Sequence, residues 1–224
     1  MNNINVSKLK THKSIFSKES YIKRPALFLD RDGVIIEDEH YIKDVEKVKL
    51  CDGIIELISI SNSYNVPVIV VTNQSGITRK IFDWKDYELV TQRMIDLLGK
   101  KAKISAIYAN GYGPNEKTNN WRKPNPNMLI EAANELNIIL NESIIIGDRL
   151  SDLIAGEKAG LKFLFHIKTG KGLEERDSIN KYLRNNVFST NINECYFNKK
   201  FLLFLNNLKE FPINILKTYY SNIY

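Results

Sequence analysis

Hydrophobic positions in this chain fall into short unbroken runs separated by longer stretches with helical spacing. The first run, Pro25-Ala26-Leu27-Phe28-Leu29, is bounded by proline and followed at once by Asp30-Arg31-Asp32-Gly33. An apolar run of this length with charges and glycine at its end reads as a buried strand leading into a turn. Four more strands are predicted at Pro67 to Thr72, Ile104 to Ala109, Ser143 to Gly147 and Leu161 to Phe165. The run from Pro67 is apolar at successive positions, as in a strand covered on both faces.

Helical patterns lie between these runs. Ile54, Ile55, Leu57, Ile58 and Ile60 give the stretch from Asp52 to about Asn65 a buried side. Trp84 to Leu98 is amphipathic, with Asp83 as its cap and Gly99 as its stop. Pro126 to Asn137 carries proline in its first turn, and Leu150 to Ala159 follows the fourth strand. Strands alternating with helices over residues 25 to 165 predict an α/β fold, a doubly wound parallel sheet with helices on both faces.

The remaining segments lack this order. Residues 1–24 are polar and basic without a period, and read as a mobile arm dispensable for chemistry. Residues 33–50 alternate poorly and read as a flap. Beyond Gly170, Leu173 to Leu183 is a candidate helix, and residues 186–224 mix Asn with Phe, Tyr and Leu at partly helical spacing. The expected organisation is therefore a basic arm over 1–24, an α/β domain over 25–169 and a C-terminal extension over 170–224.

Composition narrows the picture. A hydrophobic content of 43% with 26% charged residues suits a globular protein with a sizeable core. No apolar run reaches the length of a membrane span, and the amino terminus lacks the apolar core of a signal peptide, so a cytoplasmic protein without membrane contact is expected. Cys51 and Cys195 are isolated, which excludes a Cys-rich zinc site. The net charge of +6 resides in the ends: residues 1–24 carry +5, residues 170–224 carry +3, and the body between them carries −2. That distribution counts against a nucleic-acid partner for the body.

Asp30 and Asp32 stand two residues apart at the end of a buried strand, where like charges resist ionisation unless a cation neutralises them. Oxygen ligands without neighbouring Cys or His favour Mg²⁺. Asp32-Gly33 alone also suits a hairpin turn. The other strand ends decide, because Thr72 with Asn73, Lys123 and Asp148 all lie there or in the loop after one. Singly these residues read as turn formers, a surface lysine and a helix cap. Together, on the edge of an open parallel sheet where ligands bind, they match phosphoryl transfer: a carboxylate nucleophile, a metal, and a lysine and hydroxyl for the phosphoryl oxygens.

Asp30-Arg31-Asp32-Gly33, Val71-Thr72-Asn73-Gln74-Ser75-Gly76, Arg122-Lys123-Pro124 and Gly147-Asp148-Arg149-Leu150-Ser151-Asp152 resemble the four motifs of the haloacid dehalogenase (HAD) superfamily of phosphatases. The sequence is similar in detail to the branch of D-glycero-D-manno-heptose 1,7-bisphosphate phosphatases and histidinol-phosphatases. The resemblance implies a HAD-like sheet with a small flap in place of a large cap domain. It also implies Asp30 as nucleophile, Asp32 as general acid and base, and Mg²⁺ held by Asp30, the Asp32 carbonyl and Asp148, with Asp152 orienting the ligands. Thr72 and Lys123 would stabilise the phosphoryl group. Asn73, Gln74, Ser75, Arg122, Arg149 and the flap residues Asp38, Glu39, His40 and Tyr41 would meet the substrate, a phosphorylated sugar. Many relatives carry a Cys and His zinc loop before Arg-Lys-Pro; the region from Tyr108 to Trp121 has neither residue type, so no zinc is expected. The implied reaction is hydrolysis of heptose 1,7-bisphosphate at position 7 through an aspartyl-phosphate. The alternatives are a histidinol-phosphate phosphatase, a polynucleotide 3′-phosphatase and a catalytically silent binding protein.

Overall fold

The predicted runs form the centre of one nine-stranded sheet in the computed structural model, which describes residues 10–16, 23–116, 121–184, 189–191, 194–197 and 200–220. Its strands are β1 (Thr11–Ile15), β2 (Leu27–Leu29), β3 (Val68–Asn73), β4 (Ala106–Asn110), β5 (Ile144–Gly147), β6 (Phe163–Ile167), β7 (Ser189–Asn191), β8 (Glu194–Phe197) and β9 (Lys200–Leu205). Across the sheet they run β1-β4-β3-β2-β5-β6-β9-β8-β7. The six from β4 to β9 are parallel, with antiparallel strands at both edges.

Helices α1 (Ile54–Ser63), α2 (Trp84–Leu98) and α6 (Ile213–Tyr220) share one apolar cluster. Helices α3 (Asn127–Leu136), α4 (Leu150–Ala159) and α5 (Gly172–Arg184) share the other. Successive strand side chains point to opposite faces, which divides β2 between the two cores: Leu27 and Leu29 join the first, Phe28 the second. Each is fully buried, and a buried side chain of this size contributes about 1.5–3 kcal/mol. The same division holds for Val68 and Val70 against Ile69 and Val71, and for Ile144 and Ile146 against Ile145. Strands covered on both faces need unbroken apolar runs, which is why the sequence shows them.

Topology fixes the place of the site. From β2 the chain moves outward through β3 and β4, then returns to lay β5 against the other side of β2. Loops after β2 and β5 therefore part in opposite directions and leave a crevice at their carboxyl ends.

Three expectations change. Of the basic arm, residues 1–9 and 17–22 lie outside the described residues, but Thr11–Ile15 are not loose: they pair with Ala106–Asn110 along the edge of β4. The sheet also continues past residue 170, because β9 pairs with β6 and Leu202 and Leu205 are buried. Its partly helical spacing conceals two-sided strand burial. Finally, Ile55 is exposed, since Ile54, Leu57, Ile58 and Ser61 form the buried side of α1.

Candidate active site

Asp30 directly follows β2, Asp148 follows β5, and Thr72 and Asn73 are the last two residues of β3, so three parallel strands deliver polar groups to one crevice. Lys123 enters from the loop before α3, and its ammonium lies 3.0 Å from Asp30 Oδ1, 2.7 Å from Asp152 Oδ1 and 2.6 Å from the Val71 carbonyl it donates to. Lys123 is buried, with three oxygens within 3.0 Å of its ammonium. Burial would lower its pKa, but Asp152 and Asp30 outweigh that and raise it, so it stays an ammonium.

The loop carrying Lys123 is held by Asn73. The Lys123 amide donates to Asn73 Oδ1 at 3.1 Å, and Asn73 Nδ2 donates to the Lys123 carbonyl at 3.1 Å. Asn73 was expected beside the substrate; it lines the cavity, but its amide is engaged in positioning Lys123. Gln74 has a similar task, donating through Nε2 to Asp32 Oδ2 at 2.7 Å and to Thr72 Oγ1 at 2.8 Å.

One ligand atom each of Asp30, Asp148 and Asp152 lies within 4.8 Å of the others, and all three residues are buried. Burial is the largest cause raising the Asp30 carboxyl to about 6, with Lys123 opposing and Asp152 and Asp32 adding to the rise. Burial, then Asp30 and Asp152, push Asp148 up to about 8. Asp148 Oδ2 accepts from the Lys171 amide at 2.7 Å, while Asp148 Oδ1 is buried without a hydrogen-bond partner. Two glycines make room for this carboxylate. A Cβ on Gly33 or Gly170 would stand 2.6 or 2.5 Å from Asp148 Oδ2, and both residues have positive φ.

Above this floor opens a cavity of about 510 Å³. Its walls include the expected Asp38, His40, Tyr41, Ser75, Arg122 and Arg149. Glu39 is exposed and does not line it. Arg122 donates to the Tyr112 carbonyl at 3.2 Å; its pKa is lowered by burial and then by Arg149 and Arg79, so three guanidiniums share this wall. Arg149 is raised because Asp148, Asp30, Asp152 and Asp38 outweigh its burial.

Several participants carry no motif role at the sequence level. Arg31 is buried, donates to both Asp32 oxygens and stacks 5.0 Å from the Tyr87 ring centre, fixing Asp32 from behind. Arg79 lies 5.6 Å from the Tyr41 ring centre and so backs the flap. His166 makes a 3.0 Å hydrogen bond from Nε2 to the Asp148 carbonyl, and burial lowers its pKa to about 4, keeping the ring neutral as donor. Lys171 had a visible signal, since Thr169-Gly170-Lys171 follows the fifth buried run as the other motifs follow theirs.

Residues 120–192 match the HAD-hydrolase-like family model. The chain is 39% identical over 139 residues to D-glycero-β-D-manno-heptose-1,7-bisphosphate 7-phosphatase of Helicobacter pylori, covering 61% of this chain and 80% of that one. It belongs to the HAD-like phosphatases. Identity to the Mesorhizobium japonicum enzyme of the same name is 41% over 144 residues, 61% of this HAD-like chain and 66% of that enzyme's length. In structure it is similar to a HAD-like phosphatase of Mesorhizobium loti, with a TM-score of 0.76 and 27% identity over 97% of this chain and 96% of that one. It is also similar to the D,D-heptose 1,7-bisphosphate phosphatase of B. bronchiseptica complexed with magnesium and phosphate, with a TM-score of 0.64 and 28% identity over 70% and 87% of the two chains.

The residues of this HAD-like site fit Mg²⁺. Of three clustered buried carboxylates only Asp30 and Asp152 meet the Lys123 ammonium, Asp30 and Asp148 are pushed toward protonation, and a buried Asp148 oxygen lacks a partner. A hard divalent cation supplies the missing positive charge and takes oxygen ligands. Among the described residues no helix is long and apolar enough to cross a membrane.

Proposed function

We propose that this chain is a Mg²⁺-dependent phosphatase that hydrolyses D-glycero-D-manno-heptose 1,7-bisphosphate at position 7 through an aspartyl-phosphate, in the cytoplasm. The observation that carries this reading is the convergence of Asp30, Asp148 and Asp152 with Lys123 on the floor of a cavity walled by Arg79, Arg122 and Arg149. Asp30, the Asp32 carbonyl and Asp148 would hold Mg²⁺, which when bound would offset charge between the nucleophile and the phosphoryl group.

Asp30 is the nucleophile. One carboxylate oxygen bonds to phosphorus as the bond to the sugar oxygen breaks, while Lys123 and Thr72 hold the phosphoryl oxygens. Asp32, fixed by Arg31 and Gln74 and facing the cavity, gives a proton to the departing alkoxide. In the second half it takes a proton from water, which attacks phosphorus, freeing Asp30 and inorganic phosphate. General acid–base assistance of this kind typically contributes 10²–10⁴-fold in rate. Asp152 neutralises Lys123 and holds the Arg149 amide at 3.0 Å, so it positions rather than reacts.

The cavity selects for a polyhydroxylated, doubly phosphorylated substrate. Asp38, His40 and Tyr41 offer both donors and acceptors, and the three arginines offer a second anion site. The test is phosphate release from heptose 1,7-bisphosphate and from histidinol phosphate by the same preparation, with Mg²⁺ and with chelator. Metal-dependent turnover favouring the bisphosphate is expected. A preference for histidinol phosphate would overturn the substrate, and absence of turnover on both would overturn the reaction.

A further inference from the structure

Lys10, at the start of the edge strand β1, reaches across to two loops that frame the cavity. Its ammonium lies 3.1 Å from Thr78 Oγ1 and 3.0 and 2.9 Å from the two Glu116 oxygens. The Thr78 hydroxyl stands 2.6 Å from Glu116 Oε1 and 2.8 Å from the Gly111 carbonyl, with one proton for both. Glu116 Oε1 also accepts from the Gly113 amide at 3.2 Å, and the Gly111 amide donates to the Lys10 carbonyl at 2.7 Å. Three distant segments thus meet at one carboxylate. Three donors, from Thr78, Lys10 and Gly113, hold Glu116 low, at about 2, so its charge persists throughout the neutral range.

These loops carry the recognition arginines. Thr78 adjoins Arg79, whose guanidinium backs the flap residue Tyr41. Tyr112, between the two clasped glycines, supplies the carbonyl that holds Arg122 Nη1, and its ring lies 5.6 Å from Lys10 Nζ. An isolated surface ion pair contributes little to stability. A pair tying two loops to a sheet edge acts instead on where those loops stand, and small displacements of positioning groups cost rate and affinity.

Resting on the phosphatase reading, we propose that Lys10 and Glu116 are positioning residues for substrate recognition: their clasp on Thr78 sets Arg79 and Arg122 at the spacing that receives the non-reacting end of the substrate. The amino-terminal segment, expected to be dispensable, is then a working part of the specificity wall.

The test uses the full chain with Lys10→Met, Glu116→Gln and the exchanged pair Lys10→Glu with Glu116→Lys. Kinetics are measured on heptose 1,7-bisphosphate and on p-nitrophenyl phosphate, which engages only the phosphoryl pocket. Each single variant is expected to raise KM for the bisphosphate roughly tenfold with kcat within about twofold, and to leave p-nitrophenyl phosphate kinetics unchanged. The exchanged pair should recover only the part of the loss due to the ion pair, since a lysine at position 116 cannot accept from the Gly113 amide or the Thr78 hydroxyl. An unchanged KM, or a parallel fall on both substrates, overturns the proposal. Hydrogen exchange at Gly113 and Thr78 reads the clasp independently of activity. Protection should fall in Glu116→Gln, and unaltered protection overturns the clasp. If wild type hydrolyses neither ester, the phosphatase reading fails while the exchange measurement still decides the clasp. Should Lys10→Met fail to fold, Glu116→Gln carries the same readouts.

Discussion

Lys123 Nζ stands 2.7 Å from Asp152 Oδ1, and neither side chain has appreciable contact with solvent. The same ammonium holds Asp30 at 3.0 Å. Removing one partner of a buried ion pair leaves an uncompensated charge and costs about 3–5 kcal/mol. Lys123→Met should therefore abolish turnover and also lower the thermal midpoint sharply, measured by calorimetry. Asp30→Asn should abolish turnover alone, since the amide cannot attack phosphorus yet fills the same space, and Asp152 still faces Lys123. Its midpoint without metal should equal or exceed that of wild type, because a buried carboxylate repelled by Asp152 and Asp32 has been neutralised. Appreciable phosphate release by Asp30→Asn would remove Asp30 from the nucleophile role.

The order of these groups along the chain was legible because two-sided burial writes each central strand as an apolar run, and polar residues at its end stand out. Asp30, Thr72 and Asp148 stand out in this way, and Lys123 in the loop that follows such a run. The division of labour among them was not legible. That Asn73 secures the Lys123 backbone, or that Arg31 backs Asp32 over Tyr87, depends on side-chain contacts between elements far apart in sequence. The edge strands were missed for a related reason. Thr11–Ile15 has one neighbour and mixed burial, so its sequence carries no unbroken apolar signature.

Gly33 gives a steric test of the metal pocket. Its φ of +82° and the 2.6 Å approach of Asp148 Oδ2 to a notional Cβ leave alanine no room. Gly33→Ala should cost about 1–3 kcal/mol of stability and weaken Mg²⁺ binding in titration calorimetry. Gly99→Ala, where φ is also positive but nothing lies within 4 Å, isolates the backbone strain. Equal Mg²⁺ affinity in the two variants would refute the crowding of Asp148.

Metal and pH should act together. With Asp30 raised to about 6 and Asp148 to about 8, the folded metal-free protein holds protons that the unfolded chain has released. Stability then falls as pH rises from about 4 through 8, because ionising these buried groups is easier in the unfolded state. Mg²⁺ favours the ionised carboxylates and should reverse the trend. Melting curves from about pH 5 to pH 8.5 are expected to decline in chelator and to hold level or rise with Mg²⁺. Parallel curves would mean that the cation does not bind through Asp30 and Asp148.

If the proposed substrate is right, discrimination between bisphosphate and monophosphate should rest on the arginine wall. Arg122 has its pKa lowered by burial and by the neighbouring Arg149 and Arg79, so three cations crowd one wall of the cavity. A second phosphate relieves that repulsion, whereas the imidazole of histidinol phosphate adds no negative charge. Arg122→Ala should therefore raise KM for heptose 1,7-bisphosphate by roughly ten- to a hundredfold, the scale of a lost charged hydrogen bond of about 1.5–3 kcal/mol. Turnover of monophosphates should change little, because Lys123, Thr72 and Asp30 hold the reacting group without Arg122. Arg79→Ala should shift KM in the same direction and also loosen the flap, since Tyr41 then loses the guanidinium 5.6 Å from its ring centre. Steady-state kinetics on the two substrates decide the matter: a loss of equal size on bisphosphate and monophosphate would place Arg122 at the reacting phosphoryl group and not at the far end of the substrate.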